Sequence, residues 1–170
     1  LYTVPPWHVA RENGYFDEAG YDVTITGSKG GGTTVRALTT GDIPIAESAA
    51  AAPVKAWLSG APLNIVSFGC QNPGAFVMAV PADSDIEGPA DMVGKSYGFT
   101  SPGSSTEAFG KMSIDRADGV SVDDVEWKSM GGSSEIITGM EEGIIDAGGV
   151  WDPTLSKLLL EESIRPIMWY

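Results

Sequence analysis

Apolar runs of strand length alternate with segments of helical period almost throughout the chain, and this alternation predicts an α/β fold built largely on parallel sheet. Pro5 and Pro6 open a helix over Trp7 to Glu12, because proline's missing N–H costs nothing in a first turn, and Asn13-Gly14 ends it. Val23 to Thr26 reads as a strand, Ser28 to Gly32 as a loop, and Thr33 to Thr40 as a helix closed by Gly41. Ile43 to Ala46 is the next strand. Ser48 is placed to cap a helix over Ala49 to Leu58, in which Pro53 demands a kink or a first-turn position. Leu63 to Phe68 and Ala75 to Val80 read as strands around the turn-rich stretch Gly69 to Gly74.

A second stretch follows the polar connector Pro81 to Asp85. It comprises strand Ser96 to Phe99, loop Thr100 to Ser105, helix Thr106 to Arg116, strand Val125 to Lys128, loop Gly131-Gly132, helix Ser133 to Glu142 and strand Ile144 to Gly148. The two stretches repeat one another. A shift of 102 residues carries Val23 onto Val125, Gly30 onto Gly132, Gly41 onto Gly143 and Ile43 onto Ile145. Self-similarity of this size predicts two related lobes, residues 1–80 and 81–163, with 164–170 crossing back toward the first. A cleft between lobes is where a small ligand binds.

Charge narrows the partner. With 10 Lys and Arg against 23 Asp and Glu, the formal net charge is −13, which disfavours nucleic acid and anionic membranes, since both need a basic face. The acid excess itself predicts a saline setting, where screening relieves carboxylate repulsion. The single Cys70 cannot close an internal disulfide and the single His8 cannot build a His-rich zinc site, so neither metal nor cofactor is expected. No apolar run reaches the roughly 18 residues needed for a membrane span.

Chemistry is sought at the ends of strands. Gly88 to Ser96 resembles a phosphate-binding P-loop, but it has five residues between its glycines and precedes its strand, so it reads as a short helix and turn. The loops Ser28 to Thr33 and Ser101 to Thr106 do follow strands and open helices, and their N–H groups and hydroxyls suit an anion. From these loops Gly31, Gly32, Thr33, Ser104, Ser105 and Thr106 are candidate ligand contacts. Trp7 with His8, Glu47-Ser48, Gln71, and Trp151 with Asp152 complete the set. No catalytic group is assigned, because one histidine without a placed acid makes no triad.

The chain resembles the substrate-binding proteins of ABC importers for sulfonates, taurine and nitrate, most of all the aliphatic-sulfonate branch. The resemblance runs over seven pieces in order: Ala10 to Gly20, Ala37 to Ile43, Gly60 to Leu63, Asp83 to Ile86, Asp91 to Lys95, Gly143 to Ala147 and Trp151 to Pro153. It implies a two-lobed periplasmic-binding-protein fold of type II, trimmed here at both termini relative to the family pattern. It also implies a small organic anion held between the lobes, touched by the turn around Pro6 and Trp7, the loop after Val23 to Thr26, the Glu47-Ser48-Ala49 turn, the Ser104-Ser105 loop and Trp151-Asp152, and delivered to a membrane permease with its ATPase. The implied location is periplasmic or extracellular, with a lipid anchor on a removed N-terminal segment as one form. Two alternatives stand beside this receptor: an enzyme or binding protein on the same fold for a thiamine-pyrimidine or menaquinone precursor, and the sensing domain of a regulator.

Overall fold

A computed structural model describes residues 4–68 and 76–170. Its ordered centre is a five-stranded mixed sheet made of β1 (Phe76–Pro81), β2 (Ser96–Phe99), β3 (Glu126–Ser129), β4 (Ala147–Trp151) and β5 (Ile164–Trp169). The spatial order is β3-β2-β4-β1-β5. β2 runs parallel to β3 and to β4, whereas β1 pairs antiparallel with both β4 and β5, so β1 alone runs against the rest. The sheet is therefore mixed where the sequence predicts a largely parallel one. β1, placed by its sequence in the first lobe, is a central strand here, and Ile164–Trp169 is an edge strand of the same sheet.

Both faces of the sheet are covered, as continuous apolar strands require. Alternate residues of β1 point to opposite sides: Val77 and Ala79 join Ile136, Ile137 and Met140 of α6 (Ser133–Glu141) and Leu155 and Leu158 of α7 (Thr154–Leu160). Met78 and Val80 join Met92, Tyr97, Phe99 and Ile114, the last from α5 (Ser105–Asp115). The short turn Pro89–Met92 is a 3-10 helix that seats Met92, fully buried, under this second layer. Two segments unforeseen in the sequence thus close the fold: α7 and β5.

The first region is built differently. It holds α1 (Val4–Glu12), the single turn α2 (Tyr15–Glu18), α3 (Gly31–Thr40) and α4 (Ala51–Leu58). Residues 21–28 and 43–49 lie between these helices and 61–68 follow α4, and none of them joins a ladder among the described residues. The expected strands Val23 to Thr26, Ile43 to Ala46 and Leu63 to Phe68 are corrected accordingly: a strand exists only when a neighbour takes its hydrogen bonds. Val23, Ile25, Ile43 and Leu63 are half-buried, and Ile45, Ile65, Val66 and Phe68 stay in solvent, 52%, 58%, 78% and 72% exposed. Val35 and Ala52 are the only buried hydrophobic residues described before Phe76.

Candidate functional site

Three helix N-termini gather where β2 and β3 end. β2 leads into the loop before α5, and β3 leads into the loop before α6. These loops are bonded to each other, since Met130 N–H donates to the Phe99 carbonyl at 2.7 Å and Gly131 N–H to the Thr100 carbonyl at 2.9 Å. The third terminus comes from the first region. A Cβ added at Gly32 would stand 2.2 Å from the Pro102 carbonyl oxygen, and one at Gly30 would stand 2.6 Å from Thr100 Oγ1. The glycines thus let α3 approach the α5 loop more closely than any side chain permits. Lys29 adds an ion pair of 3.1 Å to Glu135 across the same junction.

Gly31 and Gly32 belong to the first turn of α3 rather than to a preceding loop, so the helix starts two residues before the predicted Thr33. Its first turn carries no acidic residue, which leaves its positive end uncompensated. Thr33 is spent locally: its Oγ1 donates to the Gly30 carbonyl at 2.7 Å.

At α5 the hydroxyls divide into two sets. Ser104 is the N-cap and accepts the Glu107 N–H at 3.3 Å, and its Oγ lies 2.9 Å from Thr106 Oγ1, which in turn accepts the Thr100 N–H at 3.0 Å. Ser104 and Thr106 therefore build the loop. Ser101 and Ser105, 6% and 4% exposed, keep buried Oγ atoms with no hydrogen-bond partner, as does Ser133 at the first position of α6. Such atoms are uncommon in folded proteins and invite a partner. Ser101 lies in the loop that the sequence marks for an anion without being singled out as a contact, and Ser133 escaped the sequence reading; the signal available was a small hydroxyl residue after a strand at each helix start, the pattern that did mark Ser105.

Acids are already fixed around these termini. Burial alone would raise the Glu107 carboxyl, but hydrogen bonds from Lys111 and the Gly103 N–H, with the charges of Lys111 and Lys55, hold it below the usual range. A cavity of about 180 Å³ between α4 and α5 is lined by Ala51, Lys55, Gly103, Ser104, Glu107, Ala108 and Lys111. Glu135 is lowered by its own backbone N–H and by Lys29.

The Glu47-Ser48-Ala49 turn sits beside α3: Ser48 Oγ lies 2.9 Å from the Cβ position of Gly31. Ser48 does not cap α4, whose N-cap is Ala50; its hydroxyl donates to the Ala49 carbonyl at 3.2 Å. Ala49 itself is exposed. Burial raises the Glu47 carboxyl, a hydrogen bond from Trp7 opposes that rise, and Glu47 Oε2 is buried without a partner. Trp7 also faces Phe16 at 6.2 Å between ring centroids, which ties α1 to α2. On α1 Pro6 is exposed and His8 half-buried.

Trp151 and Asp152 lie at the carboxyl end of β4, which runs parallel to β2, and so on the same edge of the sheet as the loops before α5 and α6. Trp151 is the last residue of β4, 8% exposed, and stacks on Phe76 at 5.7 Å within the core. Asp152 Oδ1 accepts the N–H and hydroxyl of Ser156 at the start of α7. Gln71 and Cys70 lie outside the described residues. Among the described residues no group of three or more His, Cys, Asp or Glu side chains is placed to hold a metal, and no helix is long and apolar enough to cross a membrane.

A family model described as NMT1/THI5 like matches residues 4–165. None of the curated proteins matches the chain. Among solved structures, it is similar to the alkanesulfonate-binding protein SsuA from Xanthomonas axonopodis pv. citri bound to MOPS, with 24% identity and a TM-score of 0.86 over 99% of this chain and 58% of that one. It is also similar to the periplasmic aliphatic sulphonate binding protein SsuA from Escherichia coli, at 23% identity and TM-score 0.73 over 94% and 52%. A structure from Bordetella bronchiseptica RB50 shares 27% identity with a TM-score of 0.76 over 95% and 51%. The chain thus spans little more than half the length of these structures. The fold they share with it is the two-lobed periplasmic-binding-protein fold of type II.

Proposed function

The chain belongs to the NMT1/THI5-like family, and we propose that it is the solute-binding component of an ABC importer, capturing a small organic anion of the sulfonate kind between its two lobes. The observation that carries this reading is the meeting of α3, α5 and α6 N-termini around the buried, unpartnered hydroxyls of Ser101, Ser105 and Ser133. N-terminal N–H groups favour an anion at contact distance, whereas the distant net charge of −13 is screened beyond a Debye length of about 8 Å. A sulfonate offers three acceptor oxygens to such donors. The SsuA structure bound to MOPS, itself a sulfonate, lends the ligand class its support. Delivery to a permease and its ATPase, and a periplasmic or extracellular location, belong to the same reading.

The rival is an enzyme of the same family. Ser, Thr and Gly around a helix terminus hold an anion but supply neither base nor activated nucleophile. Calorimetry on alkanesulfonates, taurine, nitrate and aminopyrimidines tests the proposal. Binding of the sulfonates is expected, with Ser105→Ala weakening it about tenfold if its hydroxyl makes a charge-assisted bond. Binding of the aminopyrimidines alone would refute the anion reading, and conversion of a captured ligand, seen by mass spectrometry, would refute the receptor.

A further inference from the structure

We infer that the groove between α4 and α5 is a second anionic subsite, seating a carboxylate on Lys55, so that the preferred ligand is a sulfonate with a carboxylate at its far end. This rests on the anion reading above and adds a second charged group to the ligand. The groove, about 180 Å³, lies between one stripe of each helix. From α4 come Ala51 and Lys55, one turn apart; from α5 come Ser104, Glu107, Ala108 and Lys111, at the i, i+3, i+4 and i+7 spacing of a single face. Gly103 joins Ser104 in the lining, and Ser101 and Ser105, whose Oγ atoms lack partners, stand beside these two in the chain.

The charges in the groove do not cancel. Glu107 is already taken: its carboxylate accepts the Lys111 ammonium and the Gly103 N–H, each at 2.6 Å. Burial would raise this carboxyl, and Lys55 adds only its charge to the bonds that hold it low. Lys55 itself has neither an ion pair nor a hydrogen bond among the described residues, in a chain with 23 acidic side chains for 10 basic ones. The Lys111–Glu107 pair therefore leaves the groove with one ammonium over. That pair also shows the contact the groove supports, an ammonium against a carboxylate, and Lys55 lacks the second member of it. An anion brought there meets Lys55 at contact, whereas the distant acids of the chain are screened beyond about 8 Å. Ala51 and Ala108 supply methyl groups against which an alkyl chain leaves water.

Matched compounds decide the matter by calorimetry on the full chain: sulfoacetate, 3-sulfopropanoate and 4-sulfobutanoate, each against the alkanesulfonate in which a methyl group replaces the carboxylate. At the length that spans both seats the carboxylate compound is expected to bind about two- to fivefold more tightly than its methyl partner, the range of one exposed ion pair. In Lys55→Met, which keeps an unbranched stem and loses the charge, that preference should vanish. Methyl-ended compounds that bind equally well or better at all three lengths, or a preference that survives Lys55→Met, overturn the subsite while leaving the anion reading intact. If no sulfonate of either series binds, the anion reading itself fails and the subsite with it. Should Lys55→Met not fold, salt decides on the wild type: the preference should shrink between about 0.1 and 1 M salt, and one that holds its size overturns the inference.

Discussion

The two halves of this chain carry one local code and meet two different fates. At the end of α3, Gly41 N–H donates to the Leu38 carbonyl and the N–H groups of Asp42 and Ile43 both donate to Ala37. At the end of α6, 102 residues on, Gly143 donates to Met140, and Ile144 and Ile145 both donate to Gly139. Gly41 and Gly143 each take a left-handed backbone, φ 83° and 68°. The helix stop is thus the same to the residue. Beyond the stop the two paths diverge: after Gly143 the chain becomes β4 of the sheet, whereas after Gly41 residues 43–49 join no ladder among the described residues.

One substitution shows part of the reason. Asp146 and Pro44 occupy equivalent places in the repeat. Asp146 N–H donates to the carbonyl and Oγ of Ser96, and its carboxylate accepts the Ser96 N–H and hydroxyl at 2.7 and 2.6 Å, stitching the entry of β4 to β2. Pro44 has no N–H to offer. A helix and its stop are therefore encoded within a dozen residues, whereas a strand is a property of two segments.

The sharpest break of this comparison is hydrogen exchange. Amides of β1, β2 and β4 should be protected at least about a thousandfold more than those of residues 21–28, 43–49 and 61–68, because the latter lack ladder partners. Comparable protection would mean that the first region is paired after all. Next in size is a pair of glycine substitutions. Gly98→Ala puts a Cβ 2.3 Å from Ile145 Cδ1 and should cost about 1–3 kcal/mol by overpacking, while Gly27→Ala meets nothing within 4 Å and should stay within about 0.5 kcal/mol of the wild type in urea unfolding.

A smaller effect separates the carboxylates. Burial would raise Asp146, but its bonds from Ser96 and the nearby charges of Lys95 and Lys128 hold it low, whereas Glu47 is raised. A lowered acid adds stability that is present above its unfolded pKa, near 3.9, and is lost as pH falls through its folded value. Glu47 acts in the opposite sense, its share falling as pH rises past about 4.3. Asp146→Asn should therefore flatten the acid limb of the stability curve by roughly 1 kcal/mol between pH 7 and 3, and Glu47→Gln should not. An unchanged limb in Asp146→Asn would remove that carboxylate from the account. Smallest is salt: with a net charge of −13, the melting temperature should climb gradually from about 0.1 to 1 M salt as repulsion is screened, and a flat or falling curve would rule this out.

Much of the second region is legible in the sequence. Ser96 to Phe99 is predicted and found to the residue, α5 differs from expectation by one residue at each end and α6 by one at its C-terminal end, because caps and glycine stops act locally. The two loops that start α3 and α5 are marked on the same local grounds, and the structure packs them against each other. Other features lie beyond any window of sequence. Trp151 stacks on Phe76 through the β1–β4 register, a contact between residues 75 positions apart. Ser104 and Ser105 are neighbours of one residue type, and only the fold around them occupies the first hydroxyl and leaves the second without a partner. Local steric preference and capping are settled among neighbours in the chain, so the sequence alone determines most of the helix starts and the glycine stops of α3 and α6. Strand pairing, burial and the fate of each hydroxyl depend on atoms far away in sequence, which only the tertiary structure brings within hydrogen-bonding distance.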